Sequence, residues 1–209
     1  MPAKTTAAPM RSPRQRLGAD ERRAQILTAC TDVVAAKGYT KATLTEIAQG
    51  AGIAKGLLWH YFDDRNDLMQ QTLRHLAREV REAVVTDLDL AVPVPQVIRA
   101  VLVRTAMLTR THAIQLEAIN QIVHGLHTPD GRQQVTMHDY DATYAEHERL
   151  LARGQTEGTI RQADPRVMAV SYQGVIDATI GYLQAHPDVD PHHHAAAVAD
   201  LFLAGVTQG

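Results

Sequence analysis

The 209-residue chain is expected to be all-α. Apolar residues recur at helical spacing along most of its length. No stretch alternates apolar and polar residues as a half-buried strand does, and no Asn-Gly or Asp-Gly pair joins two β-branched runs. Proline and glycine punctuate the pattern, which divides into a flexible basic arm (1–19), a three-helix unit (20–64) and a larger helical remainder (65–209).

The first helix is predicted from about Asp20 to Lys37, with Ile26, Cys30, Val33 and Val34 inward and Gly38 ending it. Thr43 to Arg65, TLTEIAQGAGIAKGLLWHYFDDR, reads as two short helices around a glycine turn. Thr43 caps the first, and Glu46 closes a capping box three residues on. Ile47, Ala48 and Ala51 share one face, and Ala48 is small where a second helix crosses. Gly52 stands where the chain turns sharply and a positive φ is expected. Ile53 buries the turn. The second helix is expected from about Ala54 to Phe62, with Leu58 and Phe62 inward. This is the spacing of a helix-turn-helix, whose second helix lies in the DNA major groove. Lys55, Gly56, Leu57, Trp59, His60 and Tyr61 are its outward residues. An ordinary helical hairpin shares the glycine turn, but its exposed face would be rich in Glu and Lys.

A long helix is expected from Asp64 to about Asp89, with Met69, Leu73, Leu76, Val80, Val84 and Leu88 at helical spacing; Ala91 to Pro95 breaks it. Val97 to Thr111 is helical, and His112 to Leu126 continues after a bend. Thr128-Pro129-Asp130-Gly131 is a turn or a helix start, and the next helix runs to about Arg153, ending in a Gly154 to Gly158 loop. Asp164-Pro165 opens a helix through Ala185, and Asp190-Pro191 opens the last, through about Val206.

Charge is unevenly placed. The net of −2 hides a basic amino-terminal third: residues 1–65 hold ten Lys/Arg against six Asp/Glu, and residues 66–209 eleven against seventeen. Such asymmetry is the footprint of a localised phosphate-binding surface. The lone Cys30 forms no intrachain disulfide and falls on an apolar stripe as a small core residue. No apolar run approaches the roughly 20 residues that span a bilayer. The amino terminus has no apolar core for a secretory signal. A reducing, cytoplasmic setting is compatible with this.

The helix-turn-helix segment resembles the DNA-binding domain of the TetR (tetracycline-repressor-like) family of transcriptional regulators. The resemblance rests on Gly38-Tyr39, Thr43 to Ala51, Ala51-Gly52-Ile53, Lys55-Gly56, His60-Tyr61-Phe62, Arg65 and Leu68, over about residues 21 to 69. It implies an amino-terminal three-helix DNA-binding domain followed by a larger helical ligand-binding and dimerisation domain. The implied function is a ligand-responsive repressor, bound to a palindromic operator as a homodimer and released by a small organic effector. Thr43, Thr45, Lys55, Gly56, Leu57, Trp59, His60, Tyr61 and Arg65 are then the DNA-binding candidates. Three positions depart from the family: Leu57 replaces a frequent hydroxyl residue, Ala54 a usual Ser or Thr cap, and Trp59 the usual tyrosine.

The last two helices carry Gly174, Ala178, Gly181, Ala204 and Gly205 beside larger apolar residues. Small residues allow close helix approach, either across a four-helix dimer seam or within one subunit. The resemblance implies the homodimer. It also implies an effector cavity in the middle helices, for which Met107, Asn120, Val123, Tyr140, Tyr144 and Tyr172 are the candidate wall. Tyr140 and Tyr144, one turn apart, read equally as a pocket wall or a surface pair.

No metal or cofactor is expected. His124 and His127 stand three residues apart with His138 beyond, but no cysteine or nearby carboxylate completes a ligand set. His192-His193-His194 reads as solvated. Enzyme classes find no support: Glu-x-x-His, Gly-x-Ser-x-Gly, Walker and His-Glu-x-x-His motifs are all missing.

Overall fold

A computed structural model describes residues 18–128 and 130–207, with the side chain of His138 also left undescribed. Most of the basic arm and Pro129 of the expected turn thus lie outside the described residues.

The amino-terminal unit comprises α1 (Ala19–Lys37), α2 (Leu44–Gly50), a 3-10 helix (Lys55–His60) and the start of α3 (Arg65–Val85). Its core joins Ile26, Cys30 and Val34 of α1 to Ile47, Ala48 and Ala51, then to Leu58, Phe62, Leu68, Met69 and Leu76. Burying each large side chain contributes about 1.5–3 kcal/mol, enough to fix a unit whose second helix has only seven residues. Burial lifts the Cys30 thiol to about 11, leaving it a packing residue.

The remaining helices are α4 (Val94–Thr111), α5 (Ala113–Gly125), α6 (Asp141–Thr156), α7 (Pro165–Ala185) and α8 (Pro191–Val206). A second core gathers Val94, Ile98, Leu102, Leu151, Ile160, Met168, Tyr172, Ile176, Leu203 and Val206. Ala106, Leu183 and Ala195 form a smaller cluster that ties α4 to α7 and α8. Ala118, Ile122 and Leu126, from α5 and the residue after it, pack into the amino-terminal core. The fold is helical; among the described residues, extended pairing is confined to the isolated bridges His127–Gln133 and Ile160–Thr207.

Several sequence expectations are corrected. The segment after the turn is 3-10 rather than α-helical and spans Lys55–His60; Ala54 offers no side chain to satisfy its first N–H groups. Helix α3 ends at Val85, short of Asp89, because Thr86 leaves the helical region and Asp87 takes a positive φ of 57°. Arg104 supplies the missing donors there, bonding the carbonyls of Val84, Thr86 and Asp87. The Gly131 N–H bonds the Thr128 carbonyl at 2.8 Å, and α6 begins only at Asp141 after a short 3-10 segment (Met137–Tyr140). Gly154 lies inside α6 rather than in a loop. A Cβ there would stand 2.4 Å from Ile160 Cγ1 and 3.0 Å from Val94 Cβ, so it is a close-packing position.

The proline-opened helices begin and end where expected. Asp164 caps α7 through Arg166 N–H, and Asp190 caps α8 through the N–H groups of His192 and His193. No described helix is long and apolar enough to cross a membrane.

Candidate nucleic-acid interface

The site is built from the cap inward. Thr43 Oγ1 accepts the Glu46 N–H at 3.3 Å, and Glu46 Oε2 accepts the Thr43 N–H at 3.2 Å. Lys37 donates to the other Glu46 oxygen and ties the end of α1 to the start of α2. This Lys37 bond, helped by Thr43, holds the Glu46 carboxyl down to about 2.

At the turn, Gly52 has φ 62°. Its N–H bonds the Gln49 carbonyl at 3.0 Å, and the Ile53 N–H bonds the Ala48 carbonyl at 2.9 Å. The chain therefore leaves α2 in a fixed direction. Leu58 is 0 % exposed and Phe62 2 %, which pins the following segment onto the core.

That anchoring turns Lys55, Gly56, Trp59 and His60 to solvent. Trp59 is 46 % exposed, unusual for the largest apolar side chain. Thr43 and Thr45 are exposed at the start of α2, and Leu57, within the segment, and Tyr61, just after it, are half-buried. Lys55 enters no ion pair among the described residues, so its ammonium is available to an anion. Arg65 is placed differently. Its guanidinium donates to the Tyr39 carbonyl at 2.5 Å and lies over the Tyr39 ring, 4.4 Å from the centroid. This arginine braces the exit of α1.

The candidate effector wall separates into places. Val123 and Tyr140 line one cleft of about 540 Å³, together with Leu73, Arg74, Ile119 and Val135 among others, between α3, α5 and the chain leading into α6. Such a volume suits a small organic ligand. Tyr144 is buried beside it, stacked on Tyr140 at 6.0 Å and capped by the Arg166 guanidinium. Tyr172 sits in the second core, 0 % exposed, between the His147 edge and Phe202. Met107 and Asn120 are exposed and outside the cleft lining. Which of these side chains converge depends on how α3 and α5 cross, and helical spacing does not set that. Burial lowers the His147 imidazole, while its bond with Gln173 opposes the effect. Among the described residues, no three metal-ligating side chains converge.

The face of α7 and α8 turned away from α4 is apolar and open. Val167 is 62 % and Leu201 77 % exposed, and a Cβ added at Gly174, Gly181 or Gly205 would meet nothing within 4 Å. Ala195 and Ala199, in contrast, are buried.

Fold and site together define an all-helical protein with an amino-terminal helix-turn-helix domain and a larger helical carboxyl-terminal domain. Residues 26–72 match the family described as bacterial regulatory proteins, tetR family. This amino-terminal segment is thus similar to the DNA-binding domain of TetR-family proteins, and members of that family are transcription regulators rather than enzymes. It is similar to the HTH-type transcriptional regulator BetI of Klebsiella pneumoniae (strain 342), 37 % identical over 67 residues, or 32 % of this chain and 34 % of that protein. The BetI regulator of Cronobacter sakazakii is 38 % identical over 63 residues, or 30 % and 31 % of the two chains. The chain thus spans about a third of the length of these relatives. Solved structures resemble it over most of its length. A TetR-family regulator from Rhodococcus sp., called putative, has a TM-score of 0.75 at 19 % identity, covering 88 % of this chain and 99 % of that one. A second, from Vibrio parahaemolyticus, has a TM-score of 0.70 at 20 % identity, covering 90 % and 100 %. These similarities show the fold.

Proposed function

We propose that this protein is a ligand-responsive transcriptional repressor acting in the cytoplasm. Two copies pair through α7 and α8, place two recognition segments on a palindromic operator, and release it when a small organic effector binds. The observation that carries this reading is the outward face of the Lys55–His60 segment. It presents a cation with no ion pair among the described residues, an indole N–H and an imidazole on a segment anchored by Leu58 and Phe62. Lys55, Thr43 and Thr45 suit phosphates, which set register, while Leu57, Trp59, His60 and Tyr61 suit base edges and thymine methyls. Arg65 contributes by bracing α1 through Tyr39.

The open face on α7 and α8 supports a two-fold dimer, because self-complementary contacts between identical subunits favour small and apolar residues. The cleft bordered by Val123 and Tyr140 supports an effector with an apolar body and few polar groups. It borders α3, the helix that leaves the DNA-binding unit. Selection of duplexes from a randomised pool by the full chain tests the reading. A recovered two-fold palindrome is expected; a recovered pool no different from the input overturns it.

A further inference from the structure

Arg23 lies on α1, outside the helix-turn-helix pattern, and its guanidinium forks. Nη2 donates to the Tyr61 carbonyl at 2.8 Å, and Nη1 donates to Gln71 Oε1 at 2.6 Å. Its central carbon lies over the Phe62 ring, 5.4 Å from the centroid. Gln71 Nε2 in turn donates to both Asp67 carboxylate oxygens, at 2.9 and 2.8 Å. Asp67 Oδ2 accepts the Asp63 N–H at 3.1 Å. One path of bonds therefore runs from α1 to the exit of the recognition segment, and another returns to that exit through α3. Tyr61 and Asp63, the two backbone positions it holds, bracket the buried Phe62.

We infer that Arg23 is a positioning residue for DNA recognition, clamping the exit of the Lys55–His60 segment between α1 and α3. The segment needs such a clamp. It is a 3-10 helix of six residues, and its entry at Ala54 has no side-chain cap. Short 3-10 helices have poorer hydrogen-bond geometry than α-helices and hold their own shape weakly. Apart from the clamp, Leu58 and Phe62 fix the segment by burial, which resists lifting more than rotation about the line joining them. The two arms of Arg23 resist that rotation. A lysine cannot replace them, because an ammonium is a point donor without the planar fork. The inference rests on the DNA-binding reading only for its consequence; the clamp is a property of the free protein.

The test uses the full chain with Arg23→Lys, Arg23→Ala and Gln71→Ala. Trp59, the chain's single tryptophan, sits on the segment and reports its motion without DNA. In all three variants, acrylamide quenching of Trp59 is expected to rise and its fluorescence anisotropy to fall, with helicity unchanged. Arg23→Lys is expected not to restore either. On DNA, the ratio of affinities for a selected duplex and a scrambled one is expected to drop about tenfold, or about 1.4 kcal/mol. Affinity for the scrambled duplex and its salt dependence should hold. The effects of Arg23→Ala and Gln71→Ala should combine less than additively. If Arg23→Ala proves poorly folded, Arg23→Lys and Gln71→Ala carry the test. Unchanged Trp59 quenching and anisotropy in those two variants overturns the clamp. So does an equal loss of both affinities with a salt slope reduced by about one, which makes Arg23 a phosphate contact. If the wild-type chain selects no duplex, the DNA reading fails while the Trp59 measurements still decide the clamp.

Discussion

The ring of Tyr39 occupies the space beside Gly125. A Cβ built on Gly125 would stand 2.2 Å from Tyr39 Cγ and 2.7 Å from Tyr39 Cβ. Rotating the ring cannot relieve the second contact, because Tyr39 Cβ moves only with its backbone. The ring also lies under the Arg65 guanidinium, and the Tyr39 carbonyl accepts from it. The junction of α1 with α5 thus depends on one absent methyl group.

Gly125→Ala is therefore expected to destabilise the protein, although alanine favours a helix over glycine by about 1 kcal/mol. Overpacking costs about 1–3 kcal/mol where neighbours cannot yield. A lowered denaturant midpoint checks this. Combining it with Tyr39→Ala should cost less than the two separate losses added, because the clash then has no ring to meet. A midpoint equal to or above wild type would mean that Tyr39 shifts freely.

The Glu46 carboxyl, held at about 2 by Lys37 and Thr43 against an ordinary value of 4.5, links stability to pH. Its folded value is depressed. Its contribution is therefore fully present above about pH 4.5 and is lost as pH falls toward 2. Glu46→Gln keeps the capping geometry and removes the charge. Unfolding midpoints of wild type and Glu46→Gln should differ most above pH 4.5 and converge near pH 2, with a smaller gap in high salt. A gap independent of pH would assign the loss to packing alone.

Lys55→Ala is expected to weaken binding to specific and nonspecific duplexes alike and to reduce the salt slope by about one. Leu57→Thr should instead alter the preferred base at one position per half-site, by about 1–3 kcal/mol. Titrations at several salt concentrations, with selected and scrambled duplexes, separate the two effects. A full salt slope in Lys55→Ala would remove that ammonium from the phosphates.

What the sequence made legible was whatever local chemistry decides. Thr43 with Glu46, Gly52, Asp164-Pro165 and Asp190-Pro191 each set a helix end from within three or four residues, and each stands where it was read. Leu58 and Phe62 were legible as inward from spacing alone. The end of α3 was not, because Arg104, on the next helix, supplies the donors there. Nor was the role of Arg65, whose partner Tyr39 is 26 residues away. Which of the candidate wall residues converge depends on helix crossing, so Val123 and Tyr140 line one cleft while Met107 stays outside it. Arg23 carried no signal at all, since a lone arginine on an exposed helix face looks like any solvated charge.

The open face of α7 and α8 gives assembly a clean test. A Cβ at Gly181 meets nothing within 4 Å in its own subunit and the position is exposed, so the folded monomer should tolerate Gly181→Phe. In a dimer seam the same ring overpacks the partner helix, and replacing Ala178 on the same exposed stripe should act likewise. Sedimentation should show a shift toward monomer with helicity intact. Operator affinity should fall with it, because one recognition segment reads only a half-site. A dimer of wild-type strength would move the interface elsewhere.

The cleft touches α3 through Leu73 and Arg74 and α5 through Ile119 and Val123. Its wall also includes Gln134, whose side-chain oxygen accepts from Asn66 at 3.0 Å. Asn66 follows Arg65, which grips Tyr39 at the end of α1. A ligand that parts α3 from Gln134 therefore acts one residue from the brace of the DNA-binding unit. An effector shifts the equilibrium only by its unequal affinity for the two states. By reciprocity, operator DNA must weaken effector binding by the factor that effector weakens DNA binding. Calorimetric titration of a candidate ligand, with and without a selected duplex, measures that factor. Asn66→Ala should shrink it toward one while leaving ligand affinity for the free protein nearly unchanged. If the factor stays at its wild-type value in Asn66→Ala, coupling runs through the packing of α3 alone.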